Sequence, residues 1–261
     1  MSSYKGGQSQ NRLLASLARD DFARLEPHLK PVILKYKQSL HEAGEPIKFV
    51  YFLEAGVASN VNVMKNGDAA EIGVVGNEGL VGLPIIVGDV QGPTSMYMQV
   101  AGRGLRMKTA TLWTEIEQST SLRLRFLHYA HAYLNFVGQT AACAHFHDLQ
   151  QRCARWLLMT YDRMHSDQFT LTQEFLAMML GVRRAGVTVA AGALQREGLI
   201  RYVRGAVTIL DYDGLRERSC EIYDVSKAEL DRLLGQKPKS AIKQKDNRAA
   251  VGLISRADSR A

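Results

Sequence analysis

The chain has 261 residues, enough for two modest domains that each bury a core, and 46% apolar with 23% charged residues is ordinary for a globular protein. Its net charge is +7, but seven Lys/Arg against two Asp give residues 236–261 a net +5 and leave only +2 for 1–235. The basic balance is therefore weak evidence that the folded part holds nucleic acid. Three cysteines, none in a Cys-x-x-Cys pair, argue against a disulfide framework, so reduced thiols are expected. No run of about 18 apolar residues offers a helical membrane span, and the N-terminus has no signal-peptide pattern, so a cytoplasmic location is expected.

In chain order, residues 1–10 are polar and expected to be disordered. Residues 11–29 read as one or two short helices, with Leu13, Leu14, Leu17, Phe22, Leu25 and Leu29 apolar. The period then changes. Short alternating runs at 32–36, 49–54, 58–64, 70–75 and 95–101 are punctuated by glycines, a pattern that predicts an antiparallel β-roll or jelly roll over 11–111. Met96 and Met98 alternate about Tyr97, which places both methionines in the core on one side of their strand. Residues 112–149 contain no proline and one glycine, and predict one long helix. Along it Phe126, Ala130, Tyr133, Val137, Thr140, Ala144 and His147 recur at four- and three-residue steps, the spacing of a coiled-coil seam. A shorter helix over 150–165 follows, opening a second domain at 150–234. The basic segment 235–261 lacks apolar periodicity and is expected to be disordered.

The stretch 171–211 organises that second domain. Phe175, Leu176, Met179 and Leu180 fall on one helical face, and Gly181 suits a left-handed cap. Thr170 with Gln173 has capping-box spacing, and Thr172 is a second candidate cap. A second helix over 183–197 turns Val187, Ala190, Ala191 and Leu194 inward, and Gly198 stops it. Two strands at 199–203 and 206–210 turn at Gly205. Helix, glycine turn, helix and hairpin make a winged helix-turn-helix, whose second helix can lie in the DNA major groove. Arg183 and Arg184 open that helix, where such residues reach bases and phosphates; Arg201 and Arg204 on the hairpin suit flanking phosphates, as do Thr172 and Gln173. The alternative is a helical hairpin whose arginines are merely solvated.

The string TQEFLAMMLGVRRAGVTVAAGALQREGLI followed by VTILD resembles the DNA-binding domain of the Crp/Fnr transcription regulators. Thr172, Ala177, Gly181, Arg184 and Val187 fall on the family pattern, while Ala185, Gly186 and Val189 stand where it has Glu, Thr and a second Arg. Arg184, helped by Thr188, is then the base reader, and the usual half-site does not carry over. AGEPIKFVYFLEAGVASNVNV and IGVVGNEGLVGLP are similar to the roll of cyclic-nucleotide-binding domains. The resemblance implies an α+β fold with an N-terminal β-roll, a dimerisation helix at 112–149 with Phe126, Ala130, Tyr133, Val137, Thr140 and Ala144 in its interface, and a C-terminal winged helix-turn-helix. It also implies a homodimer on double-stranded DNA, with RNA polymerase as a further partner.

It does not imply cyclic AMP. Nucleotide-binding rolls place a Glu after Phe-Gly and an Arg before Ser/Thr-Ala. Here Leu83 follows Gly82, Thr94 and Ser95 stand at the second position, and no arginine lies between Lys65 and Arg103. A buried phosphate would lack a charged partner. Glu78 reads as a loop carboxylate. No cofactor or metal is expected: an iron–sulfur cluster wants about four thiolates, and no histidine lies between His41 and His128. His128, His131, Cys143, His145 and His147 read as interface and surface side chains; the alternative is a metal shared by two helices of a dimer. The rival reading, a cupin-like enzyme or small-molecule binder whose second domain makes protein contacts, finds no nucleophile–base set, metal triad or phosphate loop.

Overall fold

The structure is a computed structural model that describes residues 9–164 and 166–235. The expectations for 1–8 and 236–261 lie outside the described residues. Two short helices, α1 (Arg12–Ala15) and α2 (Arg19–Leu25), precede a roll of β1 (Lys30–Leu34), β2 (Ser39–His41), β3 (Phe49–Val63), β4 (Ala69–Val75), β5 (Leu80–Val81) and β6 (Ser95–Lys108). Among the described residues the strand order is β1-β6-β3-β4, with β2 against β6 and β5 against β3, every pair antiparallel. Met96 and Met98 are both buried, and Tyr97 between them turns the other way.

Two of the expected strands, 49–54 and 58–64, are one. Gly56 sits where the pattern predicts a turn, yet β3 continues through it with φ at +98° and register shifts on either side. A bulge bends a strand without ending it, so β3 and β6 can each line both halves of the roll. Other glycines serve close approach. A Cβ on Gly76 would lie 2.5 Å from the Arg163 side chain, and one on Gly79 would overlap the Tyr129 hydroxyl. The run IGVVGNEG thus reflects helices lying directly on the backbone of the roll.

The stretch 112–149 is not a single helix. It is shared by α3 (Thr109–Gln118), α4 (Thr120–Phe146) and the start of α5 (Leu149–Met164). Ser119, in extended conformation, separates the first two and caps α4 by accepting from the Leu122 N–H. Its own hydroxyl donates to Asp21 at 2.6 Å, which anchors the break to α2. Helix α4 lies across the roll with Leu122, Phe126, Tyr129 and Tyr133 buried against it. Phe126 meets Phe52 edge-on at 6.2 Å, the Tyr129 hydroxyl donates to the Leu80 carbonyl, and Asn60 donates to the Tyr133 hydroxyl at 3.1 Å.

The second domain comprises α5, β7 (Gln168–Thr170), α6 (Gln173–Leu180), α7 (Arg184–Arg196), β8 (Ile200–Val203), β9 (Ala206–Ile209), α8 (Tyr212–Arg218) and α9 (Ile222–Gly235). Its sheet runs β7-β9-β8. Leu157, Leu158, Leu176, Val187, Leu194 and Val207 centre its core. Several contacts tie it to the roll, among them those of α6 and α9. Helix α6 sets Phe175 against Tyr36 and Tyr97, with ring centroids 6.2 and 6.0 Å away. Helix α9 returns along α4 and ends with Leu234 in the roll's own core and Asp231 paired with Arg12.

Candidate nucleic-acid interface

Local chemistry sets the α6–α7 corner. Thr172, not Thr170, is the cap of α6, its hydroxyl accepting from the Phe175 N–H at 3.2 Å; Thr170 belongs to β7. Gly181 ends α6 in the left-handed conformation at φ +62°, and its N–H bonds back to Ala177 and Met178. Arg183 is extended and starts α7. The two helix axes then meet at 104°, within the range of helix-turn-helix corners. Val187, Ala190, Ala191 and Leu194 face the core, which leaves Arg184, Ala185, Thr188 and Val189 on the open side.

That open side is pre-arranged. Arg184 pairs with Glu174 on the first turn of α6 at 2.7 Å, both side chains being about 60% exposed. The Thr188 hydroxyl donates to Gln173 at 2.9 Å and also reaches the Arg184 carbonyl. So Thr172, Gln173, Arg184 and Thr188 share one surface. Sequence reading missed Glu174, whose place beside Arg184 depends on the corner angle. The Tyr202 N–H donates to Gln195 at 2.7 Å, which fixes the wing relative to α7. Val203 pairs with Ala206, so Arg204 and Gly205 form a two-residue turn with φ +49° and +78°. Arg201 and Arg204 are exposed on this wing, and Arg183 is exposed at the mouth of α7.

Two members of the expected seam on α4 face inward, whereas Ala130, Val137 and Thr140 are half-buried and Ala144 is exposed. Phe126 is 0% and Tyr133 9% exposed, both turned into their own chain's roll. The 4–3 spacing repeats one residue further on, at Leu127, His131, Leu134, Gly138, Ala141 and His145. In that stripe Leu127 is 38% and Leu134 67% exposed. Two stripes with this spacing run along α4, and spacing alone does not say which one meets the roll; Phe126 and Tyr133 do.

Between α4 and the roll lies a cavity of about 530 Å³, walled in part by His41, Asn60, Leu83, Met96, Leu127 and Tyr133. No lysine or arginine lines it among the described residues. Burial holds the His41 ring below its ordinary pKa, which favours the neutral form. Glu78 lies outside this cavity. It is buried and accepts two N–H bonds from Arg163 of α5, at 2.8 and 3.0 Å.

Residues 151–218 match the family described as the Crp-like helix-turn-helix domain. FixK2 from Bradyrhizobium japonicum is similar in structure, with a TM-score of 0.64 and 12% identity over 74% of this chain and 98% of its own. So is a transcriptional regulator of the CRP family from Thermus thermophilus, with a TM-score of 0.60 and 20% identity over 73% and 96% of the two chains. This is the Crp/Fnr fold, carrying a Crp-like helix-turn-helix domain. The Xanthomonas campestris regulator CLP, described as responsive to c-di-GMP, shares the fold with a TM-score of 0.57 and 16% identity over 74% and 99% of the two chains. A search of the curated proteins finds no match.

Proposed function

We propose that this chain is a sequence-specific transcription regulator that binds inverted-repeat DNA as a homodimer in the cytoplasm and answers to an effector other than cyclic AMP. The observation that supports the reading is the α6–α7 corner, where Arg184 and Thr188 meet Glu174 and Gln173 on an open face, with Arg183, Arg201 and Arg204 also exposed. Arg184 is the base reader, with Glu174 holding its guanidinium in place until a guanine edge replaces the carboxylate. Thr188 adds a weaker contact. Arg183, Arg201 and Arg204, with Thr172 and Gln173, grip phosphates. The wing tip supports this: Arg204 occupies a left-handed position that favours Asn or Gly, a strain that a contact with DNA would justify. Ala185 and Val189 are too short and apolar to read bases, so DNA shape carries part of the specificity.

The dimer forms through α4, on the stripe from Leu127 to His145. The cavity between roll and α4 supports a neutral, largely apolar effector, because a phosphate there would meet Leu83 and Asp89 and no cation. RNA polymerase is the further partner. The test is affinity for operator and scrambled DNA at several salt concentrations. Arg184→Ala should lose roughly 1–3 kcal/mol on the operator and relax discrimination at one symmetric base pair. Arg204→Ala should weaken both DNAs alike and reduce the salt slope by about one unit for each phosphate it no longer neutralises. Equal weakening of both DNAs by Arg184→Ala, with scrambled DNA untouched by Arg204→Ala, would refute the assignment.

A further inference from the structure

At the end of α4 the chain brings together side chains that lie far apart in sequence. Cys143 sits one turn before His147, so the two project from the same face of the helix end. Cys220, in the link between α8 and α9, places its sulfur 3.3 Å from that of Cys143. One ring nitrogen of His147 and both sulfurs lie within 4.8 Å of one another. Both cysteines are 2% exposed. The His147 Nε2 meets Glu221 at 3.0 Å, whereas its Nδ1 is buried with no hydrogen-bond partner. Arg155 approaches Cys143 from α5; it is 4% exposed and has no carboxylate ion pair among the described residues.

We propose that Cys143, His147 and Cys220 form a binding site for a zinc-class divalent cation, which clamps the end of α4 to the α8–α9 link of the DNA-binding domain. The donor set is two sulfurs and one imidazole, the soft and borderline ligands that such ions prefer. Glu221 holds the Nε2–H and leaves Nδ1 to the metal, the carboxylate–histidine–metal arrangement found around bound zinc. Solvent supplies the fourth position. Binding releases the two thiol protons, and the paired thiolates then neutralise the dication.

Distance separates this from a disulfide. Bonds of about 2.3 Å at a tetrahedral angle put two zinc-bound sulfurs roughly 3.8 Å apart. A disulfide needs about 2.05 Å. From 3.3 Å, metal binding asks the sulfurs to part by about half an ångström, and oxidation asks them to close by more than twice that. The hydrogen bond from Cys220, aided by the charges of Arg155 and Arg152, also holds the Cys143 thiol below its ordinary range. Cys153, enclosed in the apolar core, is pushed up to about 12 by burial and is the natural control.

The test is a cobalt(II) titration of the reduced, chelator-treated full-length protein. One equivalent per chain should bind with a thiolate-to-cobalt charge-transfer band, and zinc should bleach it. Cys143→Ser and Cys220→Ser should lose the band while Cys153→Ser retains it. Absence of the band in the parent protein overturns the proposal and does not depend on any variant folding. Retention of the band by folded Cys143→Ser and Cys220→Ser, judged by circular dichroism, moves the metal elsewhere and overturns it too. Loss of two hydrogens by mass after peroxide treatment, without cobalt uptake, replaces the metal site with a redox pair. None of these readouts involves DNA, so failure here leaves the regulator assignment standing.

Discussion

The buried pair of Glu78 and Arg163 joins the roll to α5, and its removal is the sharpest test of how the domains are coupled. Arg163 donates twice to one oxygen of Glu78 and once to the Met159 carbonyl, while the same Glu78 oxygen also accepts from the Gly76 N–H. The pair walls a cavity of about 250 Å³ at the domain junction. Glu78→Gln keeps the shape but leaves the Arg163 guanidinium buried without a counter-charge, a loss of roughly 3–5 kcal/mol. Arg163→Met alone should cost a similar amount, because it strands a carboxylate. Together the two changes should cost less than their sum by about 2 kcal/mol or more, since neither charge is then left alone. The assay is urea unfolding by fluorescence, with Trp113 in α3 beside the roll and Trp156 in α5 as separate reporters. In the parent the two should unfold together; in Glu78→Gln the α5 reporter should move to lower urea first. A cost below about 1 kcal/mol, or additive single changes, would mean that the pair does not hold the domains together.

Leu134→Asp places an exposed charge in the stripe proposed for the dimer and should give monomers by sedimentation at unchanged helicity; a fully dimeric variant would move the interface elsewhere. Glu71 is pushed up to about 7 by burial, against hydrogen bonds from Ser59 and Trp156. Its folded pKa lies above the ordinary value of 4.5, so its contribution is fully present below that pH and is lost as the pH rises through about 7. Glu71→Gln should therefore reduce the fall in stability between those limits by about 2 kcal/mol, checked by unfolding at pH 5 and pH 8. Gly79→Ala should cost about 1–3 kcal/mol, because the added methyl meets the buried Tyr129 ring, and calorimetric melting measures it. Arg204→Asn relieves a left-handed residue and should stabilise the fold by up to about 1 kcal/mol while weakening DNA affinity. Gain or loss of both together would separate the strain from the contact.

The helix-turn-helix was legible because its signals are local. The cap at Thr172, the left-handed Gly181 and the turn at Gly205 each act within four residues of chain, and the sequence prints them in order. Strand β7 was not legible: three residues carry no alternation, and only pairing with β9 makes them a strand. Glycine misled in the roll for the same reason. A residue without Cβ marks a turn, a bulge or a close approach alike: Gly56 is a bulge inside β3, while Gly76 and Gly79 bound the β4–β5 turn and also let Arg163 and Tyr129 come close. Cys220 was legible only as an odd thiol, since its neighbour Cys143 lies 77 residues away in sequence.

Helix α4 resolves the remaining mismatch, because it has three partners where sequence reading gave it one. Phe126, Tyr129 and Tyr133 close the roll and its cavity. Arg125 and Asn135 face α9, donating to the Leu233 and Leu234 carbonyls and to Glu229. Leu127, Leu134 and Ala141 are exposed, the first two at the rim of that cavity. A helix of 27 residues with all sides spoken for has little amphipathic contrast, so periodicity reports several overlapping stripes. The same arrangement lets one element touch the roll cavity, the exposed stripe proposed for the dimer, and α9 of the second domain. If the proposed effector displaces Tyr133, it bears on the other two faces through α4, and the coupling free energy is set by how much that helix yields.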